Sequence, residues 1–447
     1  GIIGLAFKFF LKPKKEDITI REGLAIVAFW WMFCALFGAL PYWFSGTCDT
    51  FCDSYFESMS GLTTTGASIF SDIEALPHGI LFWRSMTQWL GGMGIVVFFV
   101  AILPTIGVGG HKLFSAEAPD LTTDKIKPRI AQTAKILWVI YLSLTAILIP
   151  FLWFGGMEFF DAVCHSFTTV STGGFSTKNQ SIAAFDSLFI EIVIMVFAFI
   201  AGCNFILYYQ LVTGKFKKVL ANSEIRFFVS LMLCAICLIT LALFFFDSTS
   251  YNGGVKDHKY DSVGGSLRYA AFQAVSIMTS AGYCNADFDL WPDFCRVFLV
   301  LLMFIGGCAG STAGGMKVAR IMLLCKSGVR ELFHVLRPRA IMHVKLSGKP
   351  VSEDIITNTL GFIVINLGLF GVFSLILTIF GTELITSFSA IASMMSNVGP
   401  ALADAGATKN YSGIAYPCKW VLIFAMLVGR LEIYTVILIF LPLTWKK

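Results

Sequence analysis

Apolar residues in this chain fall into long runs rather than short alternating ones, and the runs are separated by brief polar segments. Ile190–Leu211 is nearly free of charge and long enough to cross the ~30 Å hydrocarbon core of a bilayer as a helix. Comparable runs occur at Leu24–Phe44, Ile80–Leu103, Ile136–Phe154, Phe227–Phe246, Phe294–Ile305, Ile355–Phe380 and Trp420–Leu441. Between them lie four half-length amphipathic stretches, Asp53–Thr63, Phe159–Val170, Leu267–Met278 and Glu383–Met395, each too short to span. The pattern predicts an all-α polytopic membrane protein in which one unit, span, half-helix, turn and span, occurs four times.

The turns after the half-helices read LTTTGAS (Leu62–Ser68), VSTGGFS (Val170–Ser176), MTSAGYC (Met278–Cys284) and SNVGPAL (Ser396–Leu402). Aligning Gly66, Gly173, Gly282 and Gly399 gives repeat lengths of 107, 109 and 117 residues. The units are expected at 22–110, 111–214, 215–350 and 351–447, after a cytoplasmic segment 1–21 whose start, Gly1–Phe10, reads as the remnant of another apolar helix. Small-residue turns cannot stay helical, and non-helical backbone at membrane depth is tolerated only inside protein or beside a water-filled cavity. Four such re-entrant units most economically surround one axis. Each half-helix then directs the partial negative charge of its C-terminus inward, which favours a cation. A dehydrated cation needs a ring of oxygens, which backbone carbonyls supply without a trapping charge. The candidate ring is Thr64-Thr65-Gly66, Ser171-Thr172-Gly173, Ser280-Ala281-Gly282 and Asn397-Val398-Gly399.

Composition agrees: 56% of the 447 residues are hydrophobic and 14% charged. Segments Lys8–Arg21, Lys112–Lys135, Lys215–Arg226 and Lys317–Lys349, with Lys446 and Lys447, hold 24 of the 33 lysines and arginines, while the alternate connections are acidic. Basic loops face the cytoplasm, so both chain ends are expected there. The net charge of +5 is thus a topology signal, and nothing interleaves basic and aromatic residues as a nucleic-acid surface would. The 12 cysteines form no Cys/His cluster at zinc spacing. Most read as small buried hydrophobes; Cys48 and Cys52 fall together on the predicted outer side, where a disulfide is the alternative to two free thiols. Glu57, Arg84 and Glu191 lie near outer span ends, which suggests snorkelling or a vestibule role, and His165 reads as packing or hydrogen bonding rather than metal ligation.

Two features do not belong in ordinary spans. Residues 306–315 hold five glycines in ten positions, Gly306, Gly307, Gly310, Gly314 and Gly315, ahead of Lys317. Each glycine disfavours helix by about 1 kcal/mol relative to alanine, so the third repeat's second span should break there. A phosphate loop is excluded, because Met316-Lys317-Val318 follows where GK[ST] is required. A mobile loop beneath the turns that obstructs conduction competes with tight helix packing through small residues. Arg430 lies midway along an apolar run, where a charge costs at least about 2.5–3.5 kcal/mol and normally faces protein or water. A cation lining the path beside the glycine loop competes with a structural salt bridge; Glu432, two residues on, falls on a different helix face.

The passages SGLTTTGAS, QWLGGMGIVV, ILPTIGVGG, IGGCAGSTAGGMKV and VGRLEIYT resemble the TrkH/KtrB superfamily of K⁺ transporters, most closely its bacterial TrkH branch, from about Glu22 to the C-terminus. That resemblance implies four M1–P–M2 repeats around one pseudo-four-fold pore, K⁺ uptake across the bacterial inner membrane, a homodimer, and a cytosolic TrkA-like nucleotide-binding ring as partner. It also marks the glycine-rich segment as the gate, and a glycine in all four turns as selective for K⁺ over the Na⁺ preferred by relatives with serine at the first. K⁺ is then the transported ion and no catalytic cofactor is expected. The competing reading is an ion-coupled secondary transporter, but those commonly use inverted repeats, whereas these four units run in one direction. No HExxH, GxSxG or paired intramembrane carboxylates suggest an enzyme.

Overall fold

The computed structural model describes residues 20–102, 130–245, 260–339, 342–431 and 433–440. Gly1–Phe10, most of Lys112–Lys135, Glu432, Lys446 and Lys447 lie outside the described residues. The first repeat comprises α1 (Ile20–Phe44), the half-helix α2 (Phe51–Leu62) and α3 (His78–Ile102). The second comprises α4 (Ile130–Phe154), the half-helix α5 (Phe159–Val170), α6 (Leu188–Gly202) and α7 (Phe205–Val212), and the short α8 (Phe216–Leu220) follows past its expected end. The third has α9 (Ser223–Phe245), the half-helix α10 (Val263–Met278), α11 (Asp293–Met303) and α12 (Val318–Leu336); the fourth has α13 (Glu353–Ile379), the half-helix α14 (Leu384–Ser396), α15 (Tyr416–Leu431) and α16 (Ile433–Phe440). The expected four-fold repeat of span, half-helix and span is therefore present, and the third half-helix starts earlier than expected, at Val263. Lys345–Leu346 pairs antiparallel with Lys349–Pro350 in a small hairpin, a local departure from all-helical structure.

Ile190–Leu211 is not one straight span. α6 and α7 meet at an angle of 96° around Cys203 and Asn204. The carbonyl of Gly202 accepts from the Cys308 N–H, in the glycine-rich segment, at 2.9 Å, and the Asn204 side chain caps the Ile206 N–H at 2.9 Å. A ladder that loses an acceptor and gains a new cap restarts in a new direction. Phe294–Ile305 likewise ends early, in an α11 of 11 residues. Among the described residues, four unbroken helices (within α1, α4, α9 and α13) are long and apolar enough to cross a membrane, and the bent α6–α7 pair makes a fifth.

The polarity of the molecule is inverted relative to a water-soluble domain. Trp30, Phe37 and Phe44 on α1 and Phe151, Trp153 and Phe154 on α4 are exposed, while Ser58, Thr168, Gln273 and Ser393 on the half-helices are buried. Lipid can solvate the first set but not the second, so the polar half-helices must sit inside. Several buried hydroxyls bond within the protein: Ser166 and Ser389 donate to carbonyls four residues back, Ala162 at 2.6 Å and Ile385 at 2.7 Å, and Ser58 donates to Ala35 on α1 at 2.7 Å.

Candidate functional site

The turn after each half-helix has the same backbone. Thr64, Thr172, Ser280 and Asn397 all hold positive φ, between 52° and 54°. Their N–H groups donate three residues back, to Gly61, Thr169, Ile277 and Met394. The next residues, Thr65, Gly173, Ala281 and Val398, donate five back, to Ser60, Thr168, Ser276 and Ser393, at 2.8–2.9 Å. Gly66, Gly174, Gly282 and Gly399 then carry φ of +82°, +81°, +70° and +101°. Non-glycine residues held left-handed at four equivalent places carry strain that only a surrounding structure sustains, and such outliers cluster at functional sites.

This geometry corrects the register of the second repeat. The counterpart of Gly66 is Gly174, not Gly173, and the repeat lengths become 108, 108 and 117 residues. Gly173 occupies the position of Thr65, Ala281 and Val398, where positive φ is not needed. The four turns close into a ring. A Cβ on Gly66 would strike the carbonyl oxygen of Gly173; on Gly174, that of Ala281; on Gly282, that of Val398; and on Gly399, that of Thr65. Each glycine thus faces the carbonyl of the next repeat, and the fourth faces the first. Among the described residues, the carbonyl oxygens of Thr64, Thr172, Ser280 and Asn397 accept no hydrogen bond, although all four residues are buried. Buried carbonyls are nearly always paired. Four equivalent unpaired oxygens in one ring therefore suit a cation.

Struts between neighbouring repeats hold the ring, and the sequence does not reveal their pairing. Gln88 on α3 donates from Nε2 to Gly173 O at 2.7 Å and accepts from Phe175 N–H at 3.1 Å. Glu57 and Arg84 are not snorkelling groups: they form a buried pair at 2.8 Å, with Arg84 also donating to Ser176 O of the second repeat and Glu57 accepting from Ile69 N–H. Glu191 takes both donors of a bidentate bond from Arg268 of the third repeat, and Lys419 of the fourth donates to Asp53 of the first at 2.6 Å. His165 bonds through both ring nitrogens, to Asp161 O and Ser176 Oγ. At the rim, the Asn179 amide beside Asp72 holds that carboxyl below its ordinary range. Cys48 and Cys52 are buried free thiols. Gln88 carried the clearest available signal, an amide inside an apolar run, as its neighbour Arg84 did.

The glycine-rich segment packs against this ring. Its ends pinch together where Gly306 N–H donates to Met316 O at 2.9 Å. Thr312 Oγ1 donates to the carbonyls of Val170 and Ala201, each at 3.2 Å, and Gly314 N–H donates to Ser280 Oγ at 2.6 Å. A Cβ on Gly307 would strike Gly202 O, and one on Gly314 would strike Ser396 O. Gly310 and Gly315 hold positive φ. Residues of the second, third and fourth turns thus touch one non-helical segment, and close packing coexists with the break. Lys317 Nζ donates to Ala313 O at 2.6 Å, and Glu224 of α9 accepts from Ala309 N–H at 2.7 Å. Arg430 reaches the same segment: Nη1 donates to Thr312 O at 2.8 Å and Nη2 to Gly91 O at 3.3 Å. It is 4% exposed, and among the described residues no carboxylate pairs with it. A cavity of about 20 Å³ lies beside it, walled by the loop, α13 and α15.

Residues 2–446 match the TrkH family, described as a cation transport protein. The chain is 42% identical over 98% of its length, and 88% of the relative's, to the Trk system potassium uptake protein TrkH of Salmonella typhimurium, and 40% identical over 97% and 88% to that of Vibrio parahaemolyticus. It superposes on the crystal structure of the potassium transporter TrkH from Vibrio parahaemolyticus with a TM-score of 0.87 at 37% identity, covering all of this chain and 90% of that one. Four tandem repeats around one pseudo-four-fold axis, apolar spans turned outward and near-complete likeness to these transporters converge: the chain is a multi-pass membrane protein of the TrkH family of cation transport proteins, and not an enzyme.

Proposed function

We propose that this chain is a K⁺ uptake pore in which the four turns form one selectivity filter and the glycine-rich segment with Arg430 forms the gate. The observation that carries the reading is the ring of unpaired carbonyls at Thr64, Thr172, Ser280 and Asn397. Four half-helices direct their C-termini at this ring, adding partial negative charge without a fixed anion that would trap the ion. Thr65, Gly66, Ser171, Gly174, Ala281, Gly282, Val398 and Gly399 complete the filter; Gly173, through its bond from Gln88, braces it.

Beneath the filter, Arg430 faces any arriving cation with like charge. Two unit charges 4 Å apart repel by about 4 kcal/mol at an effective dielectric of 20, enough to gate. Opening then requires the segment anchored by Gly306, Gly307, Gly310, Gly314, Gly315 and Lys317 to withdraw and carry Arg430's partner, Thr312, with it. The basic face at Lys317–Lys349 suits docking of a cytosolic TrkA-like ring, with the chain acting as a homodimer in the bacterial inner membrane, both ends cytoplasmic. K⁺ flux into liposomes carrying the purified protein tests this: accumulation should follow the K⁺ electrochemical gradient alone. Flux that stops when a Na⁺ or H⁺ gradient is collapsed would instead establish the coupled transporter.

A further inference from the structure

Three buried polar atoms without a hydrogen-bond partner lie around the cavity beside the glycine-rich segment. Arg430 Nε is a donor; Asn366 Oδ1 and Asn397 Oδ1 are acceptors. Arg430 and Asn366 both line the cavity, and Asn397 Oδ1 abuts its wall, 2.9 Å and 3.1 Å from where Cβ atoms would stand on the lining residues Gly429 and Gly314. Asn366 is the sharper anomaly. It lies on the first span of the fourth repeat, is 6% exposed, and among the described residues neither end of its amide has a protein partner. A polar side chain in that state within a span is costly, and the usual remedy is an ordered water.

The cavity has the right size and chemistry. A water needs at least about 10–15 Å³ and two to four polar partners, and this cavity offers about 20 Å³ with an unpartnered donor, Arg430 Nε, and an unpartnered acceptor, Asn366 Oδ1. A metal cation is excluded by the lining, since Lys317, Arg320 and Arg430 contribute three positive side chains and no described lining residue is acidic. We infer that one bound water accepts from Arg430 Nε and donates to Asn366 Oδ1, so that Asn366 is a positioning residue for Arg430. The arginine is then held on three sides, by Thr312 O, by Gly91 O and, through the water, by α13.

The flux consequence rests on the gating role proposed above; the water does not. A high-resolution structure of the full chain in lipid nanodiscs should show density for one water within hydrogen-bond reach of Arg430 Nε and Asn366 Oδ1. An empty cavity, or an Asn366 turned away from it, overturns the inference whatever Arg430 does. Liposome flux of Asn366→Asp supplies the functional readout. Its protonated carboxyl mimics the amide, whereas the ionised form cancels the charge of Arg430. Flux scanned from about pH 4 to 9 should step upward about tenfold as the carboxyl ionises, a step wild type and Asn366→Leu lack. A pH profile identical to wild type in an Asn366→Asp protein of normal stability overturns the positioning role. If Arg430→Gln leaves flux unaltered, the gate reading fails instead, and the density alone decides the water.

Discussion

Arg430 Nη1 donates to Thr312 O at 2.8 Å, which bonds the intramembrane cation of the fourth repeat to the glycine-rich segment of the third. The same Thr312 donates to Val170 O at the end of the second half-helix, and its arginine also holds Gly91 O on α3 of the first repeat. One residue pair therefore joins elements of all four repeats. An ion pair would have neutralised the arginine, whereas carbonyl partners leave its charge intact.

Replacing Arg430 by glutamine should raise basal K⁺ flux per inserted molecule by at least about tenfold, an effect of about 1.4 kcal/mol. Glutamine keeps a donor for one of the two carbonyls, so the cost in stability should stay near 1–3 kcal/mol. Flux normalised to folded protein, beside a thermal melt, separates the two effects. A destabilised variant with wild-type flux per folded molecule would reduce Arg430 to a packing element.

The two adjacent glycines of the second turn should respond differently. Alanine at Gly174 meets both a φ of +81° and the Ala281 carbonyl, so it should weaken K⁺ over Na⁺ discrimination and cost about 1–3 kcal/mol, as alanine or serine at Gly66 should. Alanine at Gly173 meets first the Gln88 side chain. Its stability defect should shrink when Gln88 is shortened to alanine, and that of Gly174→Ala should not. Reversal potentials in mixed K⁺/Na⁺ gradients and melts of the double variants read both outcomes; equal rescue at both positions would return the register to Gly173.

Glu57 and Arg84 are almost wholly buried, at 0% and 1% side-chain exposure. Removing one charge strands the other, so Arg84→Ala should destabilise by about 3–5 kcal/mol. The Glu57→Gln, Arg84→Gln double variant should lose less than the sum of the single changes. Additive losses in a double-mutant cycle would mean the two side chains are not coupled.

Glu224 Oε1 holds the Ala309 N–H at 2.7 Å, the charged anchor of the segment's entry. Glu224→Gln should raise amide hydrogen exchange across residues 306–315 and increase basal flux severalfold, because a charge-assisted bond contributes about 1.5–3 kcal/mol against about 1 for a neutral one. Unchanged exchange in that segment would show that its packing alone holds it.

The repeat architecture was legible in the chain because it depends on local features. An apolar run must span, a half-length run beside TTG or STG cannot, and four copies of that arrangement leave one economical assembly. The break at residues 306–315 was legible for the same reason, since five glycines oppose helix wherever they occur. Arg430 announced itself through the cost of a charge in an apolar run. Other features depended on partners distant in sequence. Gly173 and Gly174 are identical as residues, and only the bond from Gly173 N–H to Thr168 O and the neighbouring carbonyl of Ala281 distinguish their roles. The bend at Asn204 has no proline to mark it; it exists because Cys308, about a hundred residues on, captures the Gly202 carbonyl. Nothing in the sequence pairs Gln88, Glu57 or Asn366 with another residue, and what each does was decided by which oxygen, guanidinium or cavity folding set beside it. Periodicity and composition record the solvent a segment must meet, while a buried hydrogen bond between repeats is a property of two positions at once and leaves no trace in either alone.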